Sequence, residues 1–360
     1  MNDPQRIKGR GAASNREGRF ESTTRQAEDD GWASAEGEPA PRPATTVREE
    51  RARSIISRND SPDVPFEQSI NPYRGCEHGC IYCFARPSHS YLNLSPGLDF
   101  ETRLFAKGNA AELLRRELAR PGYRCTPINL GANTDPYQPI EKRWRLTRQV
   151  LEVLAECRHP CTIVTKNAQV ERDLDLLVPM ARERLVQVFL SVGSLDNRLA
   201  SRLEPRASAP HRRIEAIRAL NAGGVPCGVL VAPIIPALND GDLEHVLEAA
   251  AAAGARVAGY TILRLPHELK DLFREWLDVH VPQRAAHVIS LVRQLHGGRD
   301  YDPDFAARMR GQGPLAALIR RRFEVAAHRL GYARTREIVL DASRFRPPAA
   351  AAGPQLALFD

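Results

Sequence analysis

The segment Asn71–Phe84, which reads NPYRGCEHGCIYCF, decides how this chain folds and what it binds. It contains Cys76, Cys80 and Cys83 within eight residues, in a loop that also holds glycine. Thiolate sulfur is a soft ligand, so three cysteines at this spacing are typical of a metal site or an iron–sulfur cluster. Three protein ligands also leave one coordination position open to another molecule.

The same spacing leaves zinc as an alternative. Zinc sites usually have a fourth cysteine or histidine nearby. His78 lies between the first two cysteines, where the chelate ring would be too tight for easy ligation. We therefore expect an iron–sulfur cluster, with zinc or three buried, metal-free cysteines as the alternatives. The other cysteines lie in or near apolar runs and are expected to be buried: Cys125, Cys157, Cys161 and Cys227.

The Cys-x3-Cys-x-aromatic-Cys pattern, with Tyr82 at the aromatic position, resembles the signature of the radical S-adenosylmethionine (SAM) enzymes. The longer string INPYRGCEHGCIYCFARP resembles the branch related to spore photoproduct lyase and an uncharacterised bacterial family near it. The resemblance covers about residues 51–265. It implies a [4Fe-4S] cluster on the three cysteines, SAM bound to the open iron, and reductive cleavage of SAM to a 5′-deoxyadenosyl radical. It also implies an electron donor of flavodoxin or ferredoxin type.

Strand-like and helix-like segments alternate along the middle of the chain. β-Branched runs such as Cys161–Thr165 indicate buried strands, and amphipathic runs such as 147–156 indicate helices. This alternation predicts βα units and a parallel sheet, which is an α/β fold. Six units agree with the partial (β/α)6 TIM-like barrel that the resemblance implies. The predicted strands are 69–74, 127–132, 161–165, 186–192, 226–235 and 256–263.

Beyond residue 266 the sequence reads as helices without strands between them, which predicts a helical C-terminal lobe. These helices are expected at 269–279, 284–295, 304–309 and 315–330. The predicted organisation is a mostly disordered polar segment 1–60, a radical SAM core 61–266, a basic helical lobe 267–345 and a flexible tail 346–360.

Composition limits where the protein works and what it binds. Of 360 residues, 42% are hydrophobic, so the chain can bury a sizeable core. The absence of a membrane-spanning run and of an apolar signal segment, together with seven cysteines, predicts a cytoplasmic protein without membrane association. The net charge is +7, and ten arginines against three acidic residues lie between positions 308 and 346. This excess predicts an electrostatic surface for DNA, with a solvated helix face as the alternative.

Polar residues follow the predicted strands, and parallel barrels carry their functional groups at these strand ends. SAM brings an ammonium, a carboxylate, a sulfonium and ribose hydroxyls, which need complementary polar partners. The resemblance implies that Thr134, Lys166 and Ser191, after strands two, three and four, contact SAM. We expect Asp135 to hold the ammonium and Arg206 the carboxylate, while the backbone of Tyr82 contacts the adenine.

Two motifs of the family are missing. The sequence Gly131-Ala-Asn-Thr-Asp135 replaces the usual glycine-rich GGE after strand two, and Val229-Leu-Val-Ala-Pro233 replaces G-x-I-x-G in strand five. Spore photoproduct lyase also has a hydrogen-donating cysteine just before the strand-two hydroxyl residue. Aligned on the Thr134–Asp135 step, that place is taken by Ala132. We therefore do not predict repair of the spore photoproduct.

The last residues carry a second motif. The sequence Gln355-Leu-Ala-Leu-Phe359 resembles the Q-L-x-L-F peptide by which bacterial DNA-repair and replication proteins bind the sliding clamp. Gln355 would form amide hydrogen bonds, and Leu356, Leu358 and Phe359 would fill an apolar pocket, at the end of a Pro/Ala-rich linker. The alternative is that this peptide packs on its own chain.

Three functional hypotheses follow. The first is a radical SAM enzyme that acts on DNA and is recruited by the sliding clamp. The second is a radical SAM enzyme that acts on tRNA, a protein or a small molecule. The third is an iron–sulfur protein that binds or senses without catalysis.

Overall fold

The computed structural model describes residues 7–21, 43–333 and 339–348. The strands are β1 (Thr46–Glu50), β2 (Ile56–Arg58), β3 (Gln68–Ile70), β4 (Tyr73–Arg74), β5 (Arg103–Lys107), β6 (Ile128–Leu130), β7 (Cys161–Thr165), β8 (Val186–Ser191), β9 (Cys227–Ile234) and β10 (Val257–Ile262). The helices are α1 (Leu98–Thr102), α2 (Ala110–Leu118), α3 (Glu141–Trp144), α4 (Leu146–Glu156), α5 (Leu174–Arg182), α6 (Asn197–Leu203), α7 (Pro210–Ala222), α8 (Leu243–Ala252), α9 (Leu269–His280), α10 (Pro282–Leu295) and α11 (Gly313–Arg329). None of the described helices is long and apolar enough to cross a membrane.

The six predicted parallel strands are confirmed. They are neighbours in the order β10-β9-β8-β7-β6-β3 and all run parallel. Strand β2 adds antiparallel to β3, so β2 and β10 are the two edges of this seven-stranded sheet. A second sheet with the order β1-β5-β4 lies outside the predicted pattern. The fold is α/β with a parallel sheet, as the alternation of segments predicted.

Helices cover the parallel sheet and bury its central strand. All residues of β8 are buried. Val188 and Leu190 of this strand share one apolar core with Leu154 of α4 and Ile217 of α7. Complete burial of each such side chain contributes about 1.5–3 kcal/mol, so this core holds the strand ends in fixed positions.

Helices α9, α10 and α11 follow the last strand, and α9 and α10 share an apolar cluster with the cysteine loop (residues 75–84). A second apolar cluster contains Ile81 and Tyr82 of that loop with Phe273 and Trp276 of α9 and Val292 of α10. Helix α11 packs on α8 and contributes Ile319 and Ala326 to the main core. The lobe therefore supports the cysteine loop from outside the sheet.

The predicted strand 69–74 is two strands that belong to different sheets. β3 ends at Ile70, and β4 begins at Tyr73 and pairs antiparallel with β5. Pro72 has no N–H to donate to a neighbouring strand, and the side chain of Asn71 accepts from the backbone N–H groups of Asn133 and Thr134. The chain leaves the parallel sheet here, directly before the cysteines.

Residues 304–309, predicted to form a helix, form turns instead. Asp302 and Asp304 each accept a backbone N–H two residues ahead, but a segment of six residues is too short to offset the cost of helix nucleation. This segment borders the open edge of the sheet. The N–H of Ile262 in β10 donates to Met309 O at 3.0 Å, and Arg308 binds both oxygens of Asp63, which follows β2. This segment thus connects the two edges of the sheet, with a backbone hydrogen bond to β10 and an ion pair to the residue after β2.

Parts of the segment 1–60, predicted to be mostly disordered, lie against the core. Strand β1 pairs parallel with β5, and β2 pairs with β3. Residues 7–21, which we call the N-terminal strap, pack on the cysteine loop and on α9, where Arg16 and Arg19 pair with Glu275 and Glu268. Low hydrophobicity hid this segment from sequence reasoning, because ion pairs and backbone hydrogen bonds hold it.

Candidate cluster and cofactor site

The cysteine loop turns sharply after β4, at the carboxyl ends of the parallel strands. Gly79 has a φ of 67°, and a Cβ there would come within 2.5 Å of a Glu101 carboxylate oxygen. Only glycine therefore fits at position 79 without displacing that side chain. The N–H of Gly79 donates to Cys76 O at 3.3 Å, and the N–H of Cys83 donates to Cys80 O at 3.2 Å. These turns keep the three cysteines on one short, tightly folded loop.

None of the three cysteines is in a disulfide, and all are at least partly buried. Cys76 and Cys80 are buried, and Cys83 is half-buried. Burial raises the pKa of Cys76 well above its usual value, and the Asp135 carboxylate raises it further. Burial and the Glu204 carboxylate likewise raise the pKa of Cys80. Both thiols hold their protons at neutral pH, so metal binding must release them.

A buried ion pair fixes the back of the loop. Arg86 Nη2 lies 2.7 Å from Glu101 Oε1, and both side chains are fully buried. The same guanidinium donates to the carbonyl groups of Gly79 and Cys80 at 3.0 and 2.8 Å. Arg86 therefore satisfies the backbone of the loop while Glu101 neutralises its charge.

The N-terminal strap completes this arrangement. The N–H groups of Gly11 and Ala12 donate to the Glu101 carboxylate at 3.0 and 2.8 Å, and Arg10 donates to the Glu101 carbonyl at 3.2 Å. A Cβ at position 11 would lie 1.8 Å from Gly79 O, so the strap lies in direct contact with the loop. Sequence reasoning missed this role, although Gly9 and Gly11 on either side of Arg10 were a signal of close backbone approach.

The loop also contacts the ends of two parallel strands. His78 Nδ1 lies 3.3 Å from Asp135 Oδ2, beyond β6, and His78 Nε2 lies 3.3 Å from Asn167 Nδ2, beyond β7. Gln138 adds a second connection, because it accepts from the Glu77 N–H at 2.8 Å and donates to Gly75 O at 3.1 Å. These contacts place the cysteines beside the strand ends, and the sequence did not single out His78 or Gln138 for them.

Asp135 supports the loop. Burial alone would raise its pKa, but His78 and hydrogen bonds from neighbouring groups lower it to about 2. Oδ1 accepts from Thr165 and from the Tyr137 N–H, and Oδ2 accepts from the Lys166 N–H at 2.7 Å. A carboxylate has about four acceptor positions. His78 Nδ1 lies 3.3 Å from the same carboxylate, so Asp135 has several protein partners, and its predicted contact with the SAM ammonium stays a prediction.

Tyr82 is tied to the far side of the site through a buried carboxylate. Its hydroxyl donates to Glu204, which pairs with Arg213, and Arg213 Nη1 donates to Ser191 O at 2.8 Å. The motif aromatic is therefore linked to the end of β8. Sequence reasoning did not identify Glu204 or Arg213, because their partners are distant along the chain.

The remaining predicted SAM contacts differ in how free their side chains are. Lys166 Nζ lies 5.8 Å from the centroid of the Tyr82 ring, and no ion pair to an acid is found for it in the described part of the chain. Thr134 is buried, and its hydroxyl lies 3.4 Å from Tyr73 O. Ser191 is buried at the end of β8. Arg206 pairs with Glu77 at 3.0 Å, so this guanidinium is partly neutralised beside Cys76.

The clamp-like peptide cannot be placed. Gln355, Leu356, Leu358 and Phe359 lie outside the described residues. Its predicted role stays a prediction.

The sequence is similar to a known family and to proteins of other organisms. The family model described as Radical SAM superfamily matches residues 70–250. An uncharacterized protein of Mycobacterium tuberculosis is 38% identical over 261 residues, which cover 72% of this chain and 76% of that protein. An uncharacterized protein of Methanocaldococcus jannaschii is 29% identical over 197 residues, which cover 55% of this chain and 70% of that protein.

Solved structures share the fold at low sequence identity. Spore photoproduct lyase complexed with dinucleoside spore photoproduct matches with a TM-score of 0.52 and 15% identity, over 80% of this chain and 81% of that chain. A double mutant of spore photoproduct lyase with bound AdoMet and dinucleoside spore photoproduct also matches with a TM-score of 0.52 and 15% identity, over 80% of each chain. At this identity the match establishes a common fold.

Proposed function

The chain belongs to the radical SAM superfamily, and from that premise we propose that Cys76, Cys80 and Cys83 hold a [4Fe-4S] cluster at which SAM is cleaved reductively. When bound, these groups supply a 5′-deoxyadenosyl radical, and the protein contributes binding, orientation and exclusion of side reactions.

The position of the cysteine loop carries this proposal. His78 holds the loop against Asp135 and Asn167 at the ends of β6 and β7. The loop is therefore on the edge of the sheet where parallel α/β folds hold their ligands. Three thiols, a free lysine and strand-end hydroxyl groups share this edge, which is the combination that a cluster and SAM require.

The donor set, three thiols with no fourth protein ligand assigned, suits an iron–sulfur cluster with one iron open. The three cysteines influence one another's ionisation, and the loop provides thiol ligands from a single short segment. Among the described residues, no three His, Cys, Asp or Glu side chains already converge as metal ligands. The cysteine side chains would therefore rotate and lose their protons on binding, which supplies much of the pH dependence of loading.

Individual SAM contacts belong to the same proposal. We assign the SAM carboxylate to Lys166, whose ammonium lies above the Tyr82 ring without a neutralising acid among the described residues. Arg206 is the second cation on this side, although it shares its charge with Glu77. The hydroxyl groups of Thr134 and Ser191 and the backbone of Tyr82 would contact the nucleoside part.

Anaerobic reconstitution tests the assignment. The full chain is loaded with iron and sulfide, and electron paramagnetic resonance is recorded after reduction, with and without SAM. We expect a four-iron signal that changes with SAM, and release of 5′-deoxyadenosine. Cys80→Ala should lose this cluster, whereas Cys157→Ala, which removes a buried cysteine far from the loop, should retain it.

Zinc in the anaerobically prepared protein, or a full four-iron spectrum in Cys80→Ala, would overturn the cluster assignment. A loaded cluster that ignores SAM and yields no 5′-deoxyadenosine would favour an iron–sulfur protein without catalysis.

We propose DNA as the substrate class. The net charge of +7 and the clamp-like peptide support it, and Arg320 and Arg321 on α11 are exposed. Other arginines of the lobe are neutralised, because Arg322 and Arg329 pair with Glu244 and Glu248 of α8. Association with the sliding clamp is measured with the full chain and with a chain ending at residue 354. Equal association of the two would remove the recruitment argument.

A further inference from the structure

An arginine and an exposed aromatic ring lie beside the last cysteine of the motif. Arg264 follows β10, so it stands at the same carboxyl edge of the parallel sheet as the cysteine loop. Its guanidinium carbon lies 4.4 Å from the centroid of the Phe84 ring. Phe84 directly follows Cys83, and 43% of its surface is exposed. A cation and an open aromatic surface thus border the proposed cluster.

The charge of Arg264 has no carboxylate partner among the described residues. Its one hydrogen bond there runs from Nη1 to the sulfur of Met309 at 3.1 Å, and a thioether is a weak acceptor. Burial lowers the pKa of Arg264, although the nearby Tyr301 opposes this shift. Asp63 acts on it at longer range, but Arg308 takes both Asp63 oxygens.

Neighbouring arginines show the opposite arrangement. Arg274 and Arg293 share Asp300, each with a nitrogen–oxygen distance of 2.8 Å. Arg308 forms two hydrogen bonds with Asp63. Arg264 therefore stands apart from these neighbours, since it is partly buried, close to a cluster ligand and not neutralised. An unpaired, partly buried charge lowers the stability of the folded chain unless a partner of opposite charge binds to it.

The geometry indicates what that partner is. A guanidinium stacked on a ring keeps its in-plane N–H donors free, and their fork matches the oxygens of a phosphate. An exposed aromatic ring stacks nucleobases of any sequence, and an arginine beside it strengthens this stacking. A phosphate within reach of a stacked base is the chemistry of a nucleotide.

We propose that Arg264 and Phe84 form a subsite for one nucleotide unit of a single-stranded or unstacked nucleic acid, with the phosphate on Arg264 and the base on Phe84. This inference rests on the proposed function, because it places the substrate beside the cluster. The main competing role is that Arg264 only neutralises the cluster, since Cys83 also acts on its charge.

Binding of a fluorescein-labelled hexathymidylate to the reconstituted full chain tests the subsite. We expect Arg264→Gln to weaken binding about tenfold or more and to lower the salt dependence by about one phosphate contact. Arg264→Lys should recover part of this loss, because it restores the charge without the fork. Phe84→Leu should weaken binding about fivefold or more.

Arg218→Gln is the matched control. Arg218 is an exposed arginine on α7, outside the basic region 308–346, so this change removes the same charge away from the proposed subsite and from the proposed DNA surface. Binding should stay within twofold of the unsubstituted protein. An equal loss in Arg218→Gln and Arg264→Gln would reduce the effect to overall charge and overturn the subsite.

Two other results would also overturn it. If hexaglutamate competed as well as unlabelled hexathymidylate, the site would be for carboxylates. If Arg264→Gln bound hexathymidylate normally while its cluster potential shifted, Arg264 would be the counter-ion of the cluster alone. SAM cleavage by the unsubstituted protein is measured in parallel. Its absence would remove the proposed function and leave the binding result standing, so the two proposals fail separately.

Discussion

Arg86 Nη2 lies 2.7 Å from Glu101 Oε1, and neither side chain reaches solvent. This pair connects the backbone of the cysteine loop with the N-terminal strap, because Arg86 donates to the loop and Glu101 accepts from the strap. The site therefore depends on residues far from the cysteines in sequence. Variants of the supporting residues should change stability, whereas variants of the binding residues should change ligand affinity.

Glu101→Gln should lower the free energy of unfolding by about 3–5 kcal/mol, because it leaves the Arg86 charge buried without a partner. Chemical denaturation of the full chain measures this change. Glu215→Gln, which removes the partner of Arg212 on an exposed helix face, should leave the midpoint unchanged. Similar midpoints for the two variants would contradict the importance of the buried pair.

Gly11→Ala should detach the N-terminal strap, since a Cβ at that position would lie 1.8 Å from Gly79 O. Limited proteolysis should then cut within residues 7–21 earlier than in the unsubstituted chain. Gly241→Ala is the control, because nothing lies within 4 Å of its added Cβ. If the strap of Gly11→Ala were cut no faster than that of the control, its close packing would be disproved.

Lys166→Met should weaken SAM binding by about ten- to a hundredfold while the cluster spectrum is retained, as expected for the loss of a charge-assisted hydrogen bond. Titration of the reduced protein with SAM, followed by electron paramagnetic resonance, gives the affinity. Lys142→Met removes an exposed lysine and should bind SAM normally. Unchanged affinity in Lys166→Met would move the carboxylate to another cation.

Stability should fall as the pH drops from about 6.5 to 4, because two histidines are buried without charge. Burial lowers the pKa of His89 and of His159 to about 4, from an ordinary value of 6.5. Within this window the unfolded chain binds protons that the folded chain does not, and each histidine costs about 1.4 kcal/mol per pH unit.

His159→Gln should make this dependence shallower by one proton. Unfolding is followed in denaturant at several pH values, and the variant is compared with the unsubstituted chain also above pH 7, where both histidines are neutral in either state. If the free energy of unfolding changed with pH below 6.5 as steeply in His159→Gln as in the unsubstituted chain, His159 would not titrate in this way.

Local sequence information was sufficient for the parallel sheet and the cysteine motif. Strand Cys161–Thr165 is found as predicted, because its β-branched alternation is a property of neighbouring residues. Strand β5 was missed, since its five residues carry no long apolar run and gain their order by pairing with β1 and β4. The helix predicted at 304–309 is not formed, because a segment of six residues makes too few hydrogen bonds to offset the cost of helix nucleation.

The sequence by itself determined the three thiols, their spacing and the order of the βα units, because these depend on residues that are adjacent or regularly spaced along the chain. Tertiary structure alone decided which distant groups surround those thiols. Glu101 and Gly11 meet behind the loop, Asp135 lies beside His78, and Arg264 lies over Phe84. Such meetings arise from packing between remote segments, and no local pattern of residues records them.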